Sequence, residues 1–406
     1  MLVGRFSVLP TSLCWLFYLS LTSVGQEFLS YQWDTLLLEV GFLSIFLCPW
    51  SWRKKNAETP SIFFIWLFRL LAFKLEFSSG VVKLASGDSS WRDLSALNYH
   101  YETQPIPTLG GWFFHQLPHS FHEASTAFIL VTQLVCPFFI FATRQYRIAY
   151  FFLMISTQCL IAITGNYGFF NILTIFLAIL LLDDVFIKKI LLFFKIRLSV
   201  PTSSSISFTK LAFLNLFGSI LLILNFTNIY GLMFKLELPQ SITYVIERLQ
   251  PYHLNNRYGL FAVMTKTRPE IIIEGSNDLN NWSEYKFKWK AGDLNQPPPY
   301  VAPHQPRLDW QMWFEALGSF NRNSWFIGLL EKILKGSEDV LKLLRHNPFP
   351  NSPPRYLRTI TYDYNFTNWD EKTKSGFWWK KSSRRPYTPT IKNPFLKTQE
   401  KKSPNN

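Results

Sequence analysis

The chain has 406 residues, of which 48% are apolar, 17% aromatic and only 17% charged, against about a quarter charged in ordinary globular proteins. The shortage of charge falls in the first 230 residues, which excludes a wholly soluble reading. The net charge of +14 is spread along the chain so as to orient a membrane protein rather than to hold nucleic acid.

Apolar runs recur at 11–24, 35–50, 61–73, 127–143, 148–163, 169–184 and 211–226, each near or slightly below the roughly 20 residues that a bilayer requires, and they predict about seven spans. The first run follows Arg5 in the manner of a secretion signal, but no small-residue cleavage site comes after it, so it is expected to be retained as a helix. Basic residues at 53–55, at Arg144 and Arg147, and at Lys188, Lys189, Lys195 and Arg197 lie in alternate connections. With these on the cytoplasmic side, residues 30–34, 78–119, 164–168 and everything after about 231 face the opposite compartment. Residues 1–230 therefore read as a multi-pass transmembrane domain carrying an extracytoplasmic loop at 78–119. The four cysteines, Cys14, Cys48, Cys136 and Cys159, all sit in apolar runs without metal-ligand spacing and read as packing residues.

Beyond Tyr230 the composition turns polar. Strands are predicted at 259–264 (GLFAVM), 270–275 (EIIIEG), 283–290 (SEYKFKWK) and 355–367 (RYLRTITYDYNFT). The Pro-rich stretch 295–308 reads as a stiff strap leading into a short aromatic helix with Asp309 at its N-cap. An amphipathic helical pattern over 324–347 breaks at Gly336. The expected architecture is an extracytoplasmic β-rich, β-sandwich-like domain over 231–387 with peripheral helices, followed by a basic, loose tail at 388–406.

Five blocks carry a resemblance: QEFLSYQWDTLLLE (26–39), GVVKLASGDSSWRDLSALNYHYETQPIP (80–107), ITGNYGFFNILTI (163–175), YGLFAVMTKTRPEIIIEGS (258–276) and PPPYVAPHQPRLDWQMWFEALG (297–318). In this order they resemble the signature blocks of the lipase maturation factor family, and the likeness runs from about Gln26 to Tyr387. The resemblance implies a multi-pass membrane protein, resident in the endoplasmic reticulum in animals, that assists folding and assembly of secreted lipases. A bacterial member would lie in the inner membrane. Its implied partners are the bilayer and a lipase or other exported client, with no nucleic acid and no cofactor. Against the family pattern the chain is expected to begin later than typical members, by one or two leading spans, which bears on the topology the resemblance implies. The absence of cysteine from its C-terminal region weakens the transfer of a redox-linked mechanism.

Arg69, Glu76 and Lys83 are spaced seven apart, which returns them to one helix face and predicts a charged stripe that also holds Glu39. The stretch 80–91 also bears a remote likeness to the membrane domain of vitamin K-dependent gamma-carboxylases, in which a lysine matching Lys83 serves as base. That likeness implies an alternative, a membrane enzyme using Lys83 with Arg69 and Glu76 tuning it. A transporter is a third reading, for which the spans show no pseudo-repeat. His100, His115, His119 and His122 invite a metal, but Pro118 interrupts their helix and no metal is assigned. The residues expected to bind a client or join domains are Trp91, Arg92, Asp93, Asn98, Tyr99, His100, Tyr101 and Glu102 in the loop, and His304, Arg307, Asp309, Trp310 and Trp313 on the strap. Asn-X-Ser/Thr triplets occur at Asn225, in the last span, and at Asn281 and Asn365, which would face a lumen in a eukaryote. The function read from the whole is maturation of exported lipases or related clients by binding rather than by chemistry.

Overall fold

The computed structural model describes residues 7–48, 60–196, 207–234 and 239–396. Arg5, the basic cluster at 53–55, Arg197 and the last ten residues lie outside the described residues. The helices are α1 (Val8–Gly25), α2 (Gln32–Leu47), α3 (Ile62–Ala85), α4 (Ser89–Arg92), α5 (Ala96–Thr103), α6 (Leu109–His115), α7 (His119–Leu134), α8 (Arg144–Thr164), α9 (Phe170–Ile179), α10 (Asp184–Phe193), α11 (Phe208–Phe234) and α12 (Gln240–Leu249). They continue with α13 (Arg307–Ala316), α14 (Ser324–Leu334), α15 (Glu338–Leu341) and α16 (Trp369–Ser375), and the strands are β1 (Pro269–Ser276), β2 (Ser283–Tyr285), β3 (Tyr356–Phe366), β4 (Trp379–Pro386) and β5 (Ile391–Lys392). The chain forms two compact units: residues 1–96, 120–161 and 169–264 make the first, and 97–119, 162–168 and 265–406 the second.

The first unit is helical. Among the described residues, Val8–Leu29, His119–Phe141, Arg144–Thr164 and Phe208–Gly231 are long and apolar enough to cross a bilayer, and α9 with α10, bent by 109°, would supply a fifth span if they act as one. The expected count of seven also relied on α2 and α3. The first of these has only 16 residues, and the second carries Arg69, Lys74, Glu76 and Lys83. Those four charges are buried rather than lipid-facing, because α3 packs against α2, α9 and α11 and is the most enclosed helix of the unit.

The second unit is built on one antiparallel sheet in the order β2-β1-β3-β4, with β5 also paired to β3. Ile273 lies opposite Thr359 on one side and Tyr285 on the other. A single sheet replaces the expected sandwich. Ile271, Ile272 and Ile273 are all buried, so both faces of β1 are covered, and α13 packs against this strand in place of a second sheet. On β3, Tyr362, Tyr364 and Phe366 alternate onto the face that receives Leu97, Tyr101 and Trp112 from α5 and α6.

Four sequence expectations need correction. Residues 259–264 form no strand. The strand at 283–290 stops at Tyr285, after which Lys286 makes an isolated bridge to His346. Asp309 is not the N-cap of α13, which starts at Arg307. Within the tail expected to be loose over 388–406, Ile391–Lys392 form β5, and it is preceded by β4, which pairs with β3 through a bulge between Thr361 and Asp363 and holds a left-handed Ser383 (φ 55°). The break at Gly336 is present, and its φ of 70° suits glycine between α14 and α15.

Candidate functional site

The first unit encloses a polar centre that spacing alone did not reveal. Lys74 on α3 donates to the Glu39 carboxylate of α2 at 2.5 Å, with both side chains almost wholly removed from solvent. The same ammonium donates to Oδ1 of Asn225 and of Asn255. The second oxygen of Glu39 accepts from the Tyr258 hydroxyl (2.7 Å), the Asn256 side chain (3.0 Å) and the Asn256 backbone amide (3.2 Å). A buried ion pair persists only when its remaining donors and acceptors are met, and here they are met by α11 and by residues 255–258.

Glu39 is therefore held by Lys74, not by the predicted stripe. Arg69 donates to the Leu180 carbonyl (3.0 Å) and lies 4.8 Å from the Trp66 ring. Glu76 accepts from Gln158 (3.3 Å). Lys83 donates to the carbonyls of Ser79 (3.0 Å) and Leu260 (3.2 Å) and lies 5.1 Å from the centre of the Trp91 ring. Two carbonyls and a ring face suit a charged ammonium that braces backbone.

That bracing explains why 259–264 is not a strand. The amide of Gly259 donates to Gln32, the Leu260 carbonyl accepts from Lys83, the Phe261 carbonyl accepts from Trp91, and the Met264 amide donates to Asp88. Backbone groups satisfied by side chains of α2–α4 have no need of a neighbouring strand. Arg92 donates to the Leu84 carbonyl and Asp93 accepts from Ser95, so Trp91, Arg92 and Asp93 belong to this helical unit.

The rest of the loop belongs to the sheet unit. Glu102 accepts from the Phe366 amide (2.9 Å) and the Asn365 side chain (3.3 Å). Arg268 donates to the carbonyls of Glu102 (2.8 Å), Gln104 and Pro105 (2.9 Å) and pairs with Glu270 at 2.7 Å, while Lys290 takes the other Glu270 oxygen at 2.6 Å. A planar guanidinium suits this because its fork can serve several acceptors in one plane. Gln104 donates to the Thr164 carbonyl and accepts from Tyr167, whose hydroxyl also lies 3.0 Å from His100. Burial pushes the Tyr101 phenol up to about 12. Asn98 pairs with His119, and Lys266 lies over the Tyr99 ring.

The strap closes on the same segment. Asn166 donates to the carbonyls of Ile106 and Pro299 and accepts from the amides of Val301 and Ala302. Trp313 donates to the Thr103 carbonyl (2.7 Å), and Trp310 meets Tyr167 edge-on. The amide of Gly110 donates to Tyr300, and a Cβ on Gly110 would stand 2.3 Å from the Ile163 carbonyl oxygen, so no larger residue fits. Asp309 accepts from the amides of Trp289 (2.8 Å) and Lys290 (2.9 Å), and burial nonetheless holds its pKa above the usual carboxylate range. His304 is exposed and Arg307 half-buried. Tyr101, Glu102, Asp309, Trp310 and Trp313 are buried connectors within the unit.

Among the exposed rings of the sheet unit, which include Tyr300, Phe314 and Phe377, two lie side by side. Phe113 and Trp369 are 43% and 54% exposed and lie 5.6 Å apart. Trp369 stands edge-on to the fully buried Trp112, which in turn meets Trp378. Gln116 ties the end of α6 to the Thr367 carbonyl, so the two rings are mounted on a fixed base.

Residues 1–189 match the lipase maturation factor transmembrane domain, and residues 254–389 match the lipase maturation factor C-terminal domain. The chain belongs to the lipase maturation factor family. It is 34% identical to lipase maturation factor 2 of Gallus gallus, over 92% of this chain and 67% of the relative. It is 33% identical to lipase maturation factor 2 of Homo sapiens, over 95% and 70%, and 33% identical to lipase maturation factor 1 of Bos taurus, over 94% and 71%. No solved structure matches. Membership makes the chain an integral membrane protein with a sheet-bearing C-terminal region. The carboxylase-like alternative finds no support, since 80–91 lies inside the lipase maturation factor transmembrane match. The transporter reading is likewise unsupported.

Proposed function

We propose that this chain is a membrane factor on which secreted lipases mature, acting by binding. The observation that carries this is the presence of both family domains, in order, along one chain whose relatives are named lipase maturation factors. In this reading the protein sits in the endoplasmic reticulum membrane, or in the inner membrane of a bacterium. Residues 1–230 form about seven spans, counting α2 and α3 as spans whose charges are satisfied internally, and residues 231–387 lie with the 78–119 loop on the lumenal or periplasmic side.

The client is a lipase with apolar surface still exposed, and the surface offered to it is the Phe113–Trp369 pair. Exposed aromatic rings on a rigid base bind such surface at low cost in side-chain entropy. Tyr101 and Glu102, the loop residues that pack on β3, act from inside by fixing that base. The test is to delete the gene in its own host and restore either the native chain or one carrying Phe113→Ser and Trp369→Ser. The active fraction of secreted lipase is expected to fall on deletion, to return with the native chain, and to stay low with the double variant at equal protein abundance. An unchanged active fraction of every secreted lipase on deletion overturns the function. Full rescue by the double variant overturns the surface.

A further inference from the structure

The chain carries three Asn-X-Ser/Thr triplets, and the fold treats them differently. Asn225 is buried in α11 and accepts from Lys74, which removes it from any modifying enzyme. Asn365 lies inside β3 opposite Lys380, donates to Glu102, and is followed by Phe366 and Thr367, each only 3% exposed. A sugar on Asn365 would have to occupy the space where α5 packs on the sheet.

Asn281 is in the opposite situation. It lies on the loop between β1 and β2, the edge strand, and both Asn281 and Ser283 are exposed. The loop is ordered from within. Asp278 accepts from the amides of Asn280 and Asn281 and from the Asn281 side chain at 2.7 Å. Trp282 is turned back onto the loop, its indole N–H donating to the Leu279 carbonyl and its ring lying 3.8 Å from the Arg358 guanidinium. An Asn side chain carries two amide hydrogens and needs only one to hold Asp278, so a substituent on Nδ2 leaves that bond in place.

We infer that Asn281 is an N-glycosylation site, and that Asn225 and Asn365 are not occupied in the folded protein. The donor is a polyprenyl-pyrophosphate-linked oligosaccharide. Nδ2 of Asn281 forms a bond to C1 of the first sugar, and the C1–O bond to pyrophosphate breaks. The lipid pyrophosphate leaves with the electron pair, and the amide gives up one proton. The glycan then stands at the exposed side of the sheet beside Leu279, itself 49% exposed. The inference rests on the proposed lumenal placement of the C-terminal region, and the experiment separates the two.

The full chain is expressed in eukaryotic cells and its gel mobility compared before and after removal of N-linked glycans. One glycosidase-sensitive step is expected. It should vanish in Asn281→Gln and in Ser283→Ala, and persist in Asn225→Gln and Asn365→Gln. As a reference, Thr373→Asn completes an acceptor triplet with Lys374 and Ser375 on exposed α16 and should add a second step. A native chain without a step, alongside a Thr373→Asn chain with one, overturns the Asn281 assignment and leaves the lumenal placement standing. No step in either chain overturns both. A step that survives both Asn281→Gln and Ser283→Ala overturns the assignment.

Discussion

The carboxylate of Glu102 accepts the backbone amide of Phe366 at 2.9 Å, bonding a loop residue to a strand residue 264 positions later. The Arg268 fork and the packing of Leu97, Tyr101 and Trp112 join the same segment to the sheet unit. Replacing Glu102 by Ala strands the Phe366 amide in a dry site and should destabilise the sheet unit by about 2–3 kcal/mol, whereas Glu102→Gln, which keeps an acceptor, should lose about 1 kcal/mol. Denaturant unfolding of the detergent-solubilised protein, followed by tryptophan fluorescence, measures both. Equal losses for the two variants would show that the bond to Phe366 does not matter.

The Glu39–Lys74 pair lends itself to a double-mutant cycle. Lys74→Met leaves a carboxylate buried without its cation and should cost about 3–5 kcal/mol, while Lys74→Met combined with Glu39→Gln should recover much of that loss. Thermal stability in detergent gives the coupling. Strictly additive losses would mean the two residues act independently, despite their 2.5 Å contact.

Asp309 predicts a pH dependence whose sign follows from burial. Its folded pKa is raised above the unfolded value by desolvation, against the opposing pull of the Lys290 and Trp289 amides and the Lys290 charge. The native state therefore holds this proton over a pH range in which the unfolded chain has released it. The contribution of Asp309 to stability is full below the unfolded pKa of about 4 and declines as pH rises through the raised folded value. Asp309→Asn keeps an acceptor oxygen for both amides and should flatten that decline. Urea midpoints collected from mildly acidic to neutral pH would show it, and an unchanged slope in the variant would count against Asp309 as the source.

Much of this arrangement was legible because periodicity reports burial. The apolar spans, the EIIIEG strand, the strand at 355–367 and the break at Gly336 all follow from local pattern. What escaped depends on partners remote in sequence. Residues 259–264 look like a strand, but their backbone is claimed by Gln32, Lys83, Asp88 and Trp91. A seven-residue spacing ranks charges along one helix and does not pick out Lys74, whose partners lie on α2, on α11 and after α12. The β4 stretch carries no strand signal because Lys380, Lys381, Arg384 and Arg385 look solvated, and they are. An edge strand shows solvent nearly every residue and is betrayed only by its pairing with β3.

The crossing of the chain between its two units at Ala96, His119, Ile161, Gly168 and Met264 sets a timetable for biosynthesis. Tyr101 and Trp112 leave the ribosome long before Tyr364, Phe366 and Trp379, the rings they will pack on. Glu102 must likewise wait for the amide that will neutralise its isolation. The early segment is thus translated as an unfinished half, and the sheet unit can close only once β3 and β4 have emerged. The sheet unit is a late-completing fold, and a chain terminated before β3 would keep its signature loop but lack the surface that loop is shaped to meet.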